Sequence, residues 1–439
     1  MTTSLSQLLE RHLGRKRLEL IRIVADKAFA LGYSSYLAGG AVRDILLKQP
    51  LADLDIVVEG DAIGLARALA RSLGGKVTAH QSFLTATWER PALTPELSTV
   101  DLATARSELY AEPAALPTVR PAAIEVDLRR RDFTINAMAI RLDIDRWGEL
   151  IDPHGGEGDV RGHQIRGLHK ESFIEDPTRM YRAVRYEKRL DFSISDETLA
   201  LVAGALQAVE ALSGERIRHE LDRVIDEPRF RDMLARLQEL DLLPVVHRAL
   251  RWDESAIERL GRAPSRDELG LEDFSERNLR WLLWLAGAGP TDLEEIAARL
   301  SFDGALALQL RVVTQLRAEL DELGALRPSE LTARLDGLPP LAVYAVALLC
   351  SDARVKGALL QYLREWRKMG PTITGNDLKA AGLPPGPKFA RILSRLRAAW
   401  IDGEISSRAD EARLLEDMIS GGFQAEGNSA GRKPRSRQA

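Results

Sequence analysis

Strand-type patterning stops after roughly the first 170 residues, and that boundary constrains the fold more than any other feature of the chain. Short apolar alternations occur at Ser35 to Leu37, Leu54 to Val58, Val77 to Ala79, Leu84 to Trp88, Val100 to Ala103 and Asn136 to Leu142. They are interleaved with helical spacing over Ser6 to Leu31, Val42 to Leu47 and Ala62 to Leu73. From Asp176 onward the apolar residues recur at the helical period, in Pro177 to Arg189, Asp196 to Leu212, Glu215 to Val224, Phe230 to Glu239 and on to Met418. A mixed sheet therefore has to form within the first third of the chain, leaving the remainder to pack helix on helix. The predicted architecture is an α/β head, mixed sheet with helices, over 1–170, followed by an all-helical neck (171–228), body (229–320) and tail (321–420). The small, polar and basic residues 421–439 are expected to be disordered. A chain of 439 residues also exceeds one ordinary core, so two to four packed units are expected.

Charge narrows the partners only slightly. With 61 basic and 65 acidic residues the net charge is −4, which excludes a generally basic binder but not a local basic surface for phosphates. The longest apolar runs, near Leu341 to Cys350 and Trp281 to Gly289, fall short of the roughly 18 to 20 residues that span a bilayer. The opening residues carry acids and no apolar h-region, so no secretory signal is expected. The single cysteine, Cys350, has no internal disulfide partner, and a reducing cytoplasm is the expected location.

Chemistry concentrates in two clusters. Leu37-Ala-Gly-Gly-Ala-Val-Arg-Asp44 reads as a strand turning on Gly39 and Gly40 into a helix N-terminus, where backbone amides and the helix dipole favour a phosphate. Arg43 in the first turn would add a planar charged fork; the plain alternative is a tight turn with a surface arginine. Asp53-Leu-Asp55 follows on the next strand, and alternation points both carboxylates to one face with Leu54 behind. Two like charges so close call for a cation between them, and Mg²⁺ suits one or two carboxylates plus substrate phosphates. A solvated strand end is the alternative. His154, His163 and His169 lack a fourth ligand at metal-binding spacing and are expected to be structural, while Trp281 and Trp284 read as core. The stretch from Arg106 to Leu128, with Pro113, Pro117 and Pro121, reads as a long irregular loop.

The segment GGAVRDILLKQPLADLDIVV resembles the first signature of the nucleotidyltransferases related to polymerase β, and more narrowly the class II tRNA nucleotidyltransferases and bacterial poly(A) polymerases. Further segments match this family in order and spacing: DLRRRDFTINAMAI (127–140), DPHGGEGDVRGHQIRGLH (152–169), EDPTRMYRAVRYEKRLDF (175–192) and SGERIRHELDRVI (213–225). The likeness thins afterwards and returns faintly in ITGNDLKAAGLPPGPKFARIL (373–393). It implies a polymerase-β-like nucleotidyltransferase head in which Asp53 and Asp55 hold the metal ions. One ion would favour ionisation of the RNA 3′-hydroxyl and the other would stabilise the departing pyrophosphate. For a third acid, the poly(A) polymerase branch places Asp132 first. Asp101 is the other candidate, unless it is merely a strand-end carboxylate paired with Arg106. The resemblance also assigns nucleotide binding to Gly40, Arg43, Arg131, Asp176, Arg179, Arg182 and Arg185. Asp176 and Arg179 would offer an acceptor and donors to the Watson–Crick edge of incoming CTP or ATP, so that protein replaces a template. Asp176 before Pro177 is equally suited to cap a helix.

The activity implied is template-independent addition or repair of the 3′-terminal CCA of tRNA from CTP and ATP, with release of pyrophosphate. Addition of A alone, addition of CC alone and general polyadenylation share the motifs. The long loop in YAEPAALPTVRPAAIEVDLRRRDFTIN mildly favours an enzyme able to add A, and Ala114 stands where the family often has glycine. A non-catalytic RNA-binding relative would have lost one of Asp53, Asp55, Arg43 or Arg179, and all four are present. Against a nucleotidyltransferase acting on a small molecule or a protein stand the helical region of more than 200 residues and the Asp176 and Arg179 pair implied to read the base. By resemblance, the tail reaches the tRNA elbow, where the turn at 384–388 leads into a helix with Arg391, Arg395 and Arg397. The basic end (Arg432, Lys433, Arg435, Arg437) could add weak phosphate contacts.

Overall fold

The computed structural model describes residues 5–51, 54–89, 99–109, 117–252, 269, 271 and 274–420. The chain forms two compact units, 1–252 with 295–302 and 253–294 with 303–439.

The first unit is built on a seven-stranded sheet. Its strands are β1 (Ser34–Ala38), β2 (Asp55–Glu59), β3 (Lys76–His80), β4 (Thr85–Glu89), β5 (Thr99–Thr104), β8 (Ala139–Arg141) and β9 (Leu150–Ile151). Their order is β3-β4-β5-β2-β1-β8-β9, and only β2 and β5 run parallel. Ile56, Val57 and Val58 are all buried, so β2 is covered on both faces; only its first residue, Asp55, is exposed. The flanking helices are α1 (Leu5–Ala30), α2 (Gly40–Leu46), α3 (Ala62–Leu73) and α4 (Ile124–Arg129). Asp61 starts α3 by accepting from the Gly64 amide at 2.9 Å. Tyr36, Ala38, Val57 and Ala139 of the sheet pack with Ile124 and Leu128 of α4 into one core cluster.

Three expectations are corrected here. The first helix is broken at Gly14 (φ 66°, ψ 164°), a conformation that glycine adopts readily. The stretch from Arg106 to Leu128 is largely ordered: β6 (Arg106–Leu109) pairs antiparallel with β7 (Thr118–Pro121), and α4 follows. Those two strands carry too few apolar residues for alternation to reveal them; residues 110–116, with Pro113 and Ala114, lie outside the described residues. Of Asn136 to Leu142 only Ala139–Arg141 is strand, because Thr134–Asn136 forms a 3₁₀ turn.

The helices continue as α5 (Gly156–Arg161), α6 (Ser172–Glu175), α7 (Thr178–Leu190), α8 (Asp196–Ala205), α9 (Gly214–Asp226) and α10 (Phe230–Glu239). The two-residue strands β10 (Gln164–Ile165) and β11 (Ser193–Ile194) pair in parallel, so strand structure reaches slightly past the expected limit. α7 ends on Asp191 in the left-handed region (φ 58°), which turns the Phe192 amide back onto the Glu187 carbonyl at 3.0 Å. The packing does not break at residue 170 or 228: the buried Tyr181 hydroxyl of α7 donates to the Leu242 carbonyl at 3.0 Å, and the compact unit runs on to Trp252.

Beyond these, the described helices are α11 (Glu276–Leu285), α12 (Pro290–Arg299), α13 (Gly304–Ala318), α14 (Leu320–Ala325), α15 (Pro328–Leu335), α16 (Pro340–Leu349), α17 (Ala353–Arg364), α18 (Gly375–Ala380), α19 (Pro387–Ile401) and α20 (Arg408–Ser420). Trp281 and Trp284 are buried and stacked at 4.9 Å, as core residues. α18, α19 and α20 close over a small core of Ile373, Leu378, Ile392, Leu396, Leu415 and Met418. Residues 421–439, expected to be disordered, lie outside the described residues. No helix among the described residues is long and apolar enough to cross a membrane.

Candidate active site

A cavity of about 490 Å³ in the first unit is lined by Gly40, Arg43, Asp55, Arg131, Asp132, Asp176, Arg179 and Arg182, together with Asn136, Thr178 and Tyr186. The first eight are the residues that sequence motifs select. Asp53 lies outside the described residues.

The floor of the cavity is the turn from β1 into α2. Gly39 stands at the helix N-cap with φ 75° and ψ −132°, a conformation that strongly favours glycine. A Cβ there would meet the Arg131 guanidinium. Arg43 is buried rather than reaching into solvent. Its Nη1 donates to Asn136 Oδ1 at 2.6 Å, its Nε donates to Asp44 Oδ1 at 2.9 Å, and its guanidinium lies 5.3 Å from the Tyr186 ring centre.

The acidic edge comes from two parallel strands. Asp55 of β2 and Asp101 of β5 are register partners, so both exposed side chains leave the same face of the sheet. Together they line a second cavity of about 310 Å³ that adjoins Arg130 and Arg131. Thr87 Oγ1 donates to Asp101 Oδ1 at 2.6 Å, whereas Arg106 turns to Glu108 at 3.2 Å and to the Phe83 carbonyl. The feared Asp101–Arg106 pair is thus not what this strand end forms. Exposed carboxylates on one face form a hard-oxygen donor set that fits a divalent cation.

Asp132 sits differently. It is buried, and both of its oxygens are occupied. Oδ2 accepts from Arg182 Nε at 2.9 Å and Nη2 at 2.6 Å; Oδ1 accepts from the Phe133 amide and Asn136 Nδ2, each at 2.9 Å. Burial pushes its pKa up, but Arg182, Asn136 and Arg179 outweigh that and hold it below the usual carboxylate range. In this arrangement Asp132 serves as counter-ion to Arg182, whereas the resemblance ranks it first as a third acid. Asp127, fully buried, plays the same part for two of the consecutive arginines. Arg130 donates to Oδ1 at 2.7 Å and Arg131 donates to Oδ2 at 3.0 Å. There too, burial is outweighed by Arg131 and Arg130, and the carboxyl stays ionised.

The start of α7 supplies the remaining wall. Asp176 Oδ1 accepts from the Thr178 amide at 3.1 Å, Thr178 Oγ1 at 2.6 Å and Arg216 Nη2 at 2.8 Å. It therefore caps the helix and still faces the cavity. Arg179 donates through Nη1 to Ser172 Oγ at 2.8 Å and through Nη2 to the Arg130 carbonyl at 2.7 Å. Acceptor and donor side chains are thus held by separate partners, while the Arg179 amide donates to the Asp176 carbonyl at 3.1 Å in the first turn. Arg185 corrects the expected series: it does not line the cavity but lies buried behind Tyr186, 5.7 Å from the ring centre. Burial, with Arg182 and Arg223 nearby, lowers its pKa. Sequence motifs miss Asn136 and Tyr186. Their spacing, four residues after Asp132 and four after Arg182, is the signal that could have found them.

The three histidines do not converge on a metal site. His163 stacks on Phe192 at 4.9 Å, His169 faces Glu175 at 3.5 Å, and burial with Arg129 nearby lowers the pKa of His154. In the second unit, Arg397 donates to the Met369 carbonyl at 2.8 Å and pairs with Asp336, and Arg395 pairs with Glu404 at 2.5 Å. Arg395 and Arg397, expected to grip RNA, are thus engaged within the unit itself.

Comparison with known proteins agrees with the geometry. Residues 35–166 match the family described as "Poly A polymerase head domain", and 191–252 match "Probable RNA and SrmB- binding site of polymerase A". An A-adding tRNA nucleotidyltransferase of Halalkalibacterium halodurans is 32% identical over 425 residues, covering 95% of this chain and 96% of that protein. An A-adding tRNA nucleotidyltransferase of Geobacter sulfurreducens is 34% identical over 93% of this chain; the chain spans only 48% of that relative's length. Among solved structures, the Thermotoga maritima CCA-adding enzyme complexed with tRNA superposes with a TM-score of 0.74 at 28% identity, covering 95% of this chain and 98% of that one.

Proposed function

The chain belongs to the tRNA nucleotidyltransferase family, and from that premise we propose that it transfers nucleoside monophosphates from CTP and ATP to the 3′ end of tRNA, releasing pyrophosphate and completing the terminal CCA. The observation that carries this reading is the cavity in which a glycine turn, the strand-end carboxylate of Asp55 and the Asp176–Arg179 wall meet.

The proposed division of labour follows from the positions. Gly40 and the α2 N-terminus, with Arg43, Arg131 and Arg182, bind the triphosphate as an ordered positive surface. Asp176 and Arg179 meet the base edge with an acceptor and donors fixed by Arg216, Ser172 and the Arg130 carbonyl. Asp55, with Asp53 beside it in sequence and Asp101 beside it in the sheet, is proposed to hold Mg²⁺. Such ions, when bound, favour ionisation of the attacking hydroxyl and neutralise charge on the departing pyrophosphate. Asp101 is the third acid that the sheet register supports, since Asp132 is committed to Arg182. We assign the head (1–170) to catalysis, the neck (171–228) to base recognition and the tail (321–420) to the tRNA elbow, in the cytoplasm.

Addition of A alone is the second reading, favoured by the A-adding name of the Halalkalibacterium relative, which this chain matches over nearly the full length of both. The deciding experiment is incorporation by purified protein with Mg²⁺ on tRNA transcripts ending before CCA, after C and after CC, each with CTP, ATP or both. Completion of all of them establishes full CCA addition. Extension of only the CC-ended transcript by A establishes the second reading. No incorporation on any transcript refutes both.

A further inference from the structure

Three guanidiniums surround one aromatic ring. Arg43 lies 5.3 Å from the ring centre of Tyr186, and Arg182 and Arg185 each lie 5.7 Å from it. Three cations gathered this closely repel one another, and each has an acidic neighbour, Glu220 in the case of Arg185. Arg43 has Asp44 at 2.8 Å and Arg182 has Asp132 at 2.6 Å. Arg185 is buried, and its Nε has no hydrogen-bond partner among the described residues. The ring face, negative by its quadrupole, attracts guanidiniums without adding a charge. Its own plane is fixed from behind by Phe133, packed edge-on at 5.9 Å and 85°.

The contacts close into a circuit. Arg43 donates to Asn136, Asn136 donates to Asp132, and Arg182 donates to Asp132 and, at 3.3 Å, to the Tyr186 hydroxyl. The Tyr186 ring then returns to Arg43. Of the members of this circuit, Tyr186 alone joins the two cavity-lining arginines directly, one from α2 and one from α7.

We propose that Tyr186 is the positioning residue of this cavity: its ring holds Arg43 and Arg182 together, with Arg185 as a buried third cation behind them, so that a nucleoside triphosphate meets two guanidiniums already in place. The proposal rests on the nucleotide-transfer reading above. Its consequence is an affinity effect. Guanidiniums released from the ring have to be ordered by the incoming phosphates, and that ordering weakens binding.

The test changes the ring's electronics without changing its shape. Tyr186 is replaced in the full chain by phenylalanine and by its mono-, di- and trifluorinated forms, which progressively drain the ring face. ATP affinity is measured with Mg²⁺ by equilibrium dialysis, beside KM and kcat for incorporation. Tyr186→Phe should stay within about threefold of the original Kd, since the ring is retained and one long hydrogen bond is lost. Across the fluorinated series Kd and KM should rise in step, by roughly tenfold in total, while kcat at saturating ATP moves far less. A flat series overturns the proposal. The wild-type chain and Asp55→Ala, assayed alongside, separate the premise from the inference: no incorporation by the wild-type chain refutes the nucleotide-transfer reading, and incorporation that persists in Asp55→Ala refutes the role of its carboxylate edge. A flat series beside an inactive Asp55→Ala refutes only the role of Tyr186.

Discussion

Arg182→Ala should destabilise the first unit by an amount that depends on pH in a predictable direction. Removing Arg182 leaves Asp132 Oδ2 buried without a donor, while Oδ1 keeps the Phe133 amide and Asn136. Breaking a buried ion pair by deleting one partner typically costs about 3–5 kcal/mol. The Arg182 side chain retains 28% exposure, so solvent reaches the vacated side and a loss of about 2–3 kcal/mol is expected near neutrality. Asp132 is held below its ordinary pKa although burial pushes the other way, with Arg182 the strongest opposing influence. A carboxyl depressed in the folded state contributes stability that is complete above its unfolded pKa, about 4, and is lost as pH falls through the folded value. Without Arg182, burial dominates, the folded pKa rises, and the sign reverses: stability falls as pH climbs through the new value. The gap between wild type and variant should therefore be small near pH 4 and full near pH 7. Urea unfolding read by pulsed hydrogen exchange in peptides from α7 measures that gap. A loss of equal size at both pH values would refute the ion-pair account, and Asp132→Asn added to Arg182→Ala should flatten the pH dependence.

Other predictions concern the chemistry and the turn. Asp55→Ala and Asp101→Ala should each lower incorporation by about a hundredfold or more while tRNA binding, measured by filter retention, stays within a few-fold. Full activity in Asp101→Ala would return the role of third acid to Asp132. Chelation should abolish incorporation and Mg²⁺ should restore it; activity that survives exhaustive chelation would count against the carboxylate edge as a metal site. Arg179→Ala should reduce discrimination between ATP and CTP by roughly tenfold in the ratio of kcat/KM, and an unchanged ratio would show that the base is read elsewhere. Gly39→Ala should cost about 1–2 kcal/mol, because its positive φ disfavours a side chain, and should raise KM for nucleotide by displacing Arg131. Wild-type melting and KM would contradict that reading of the turn.

What the sequence determines is whatever depends on near neighbours along the chain. Helical and strand periods place α3, α7 and β2 within a residue or two, the Gly39–Gly40 turn announces itself, and the order of motifs identifies the family. The period fails at β6 and β7, because a short polar hairpin has no apolar face to display. Only the tertiary structure decides which side chains meet across elements. Asp55 and Asp101 become neighbours through the register of β2 against β5. Asp132 becomes the counter-ion of Arg182, 50 residues away, and Tyr186 becomes the meeting point of arginines from two helices. Periodicity records which face of its own element a residue occupies, but the partner on that face is set by how elements pack, and a buried charge takes its role from that partner.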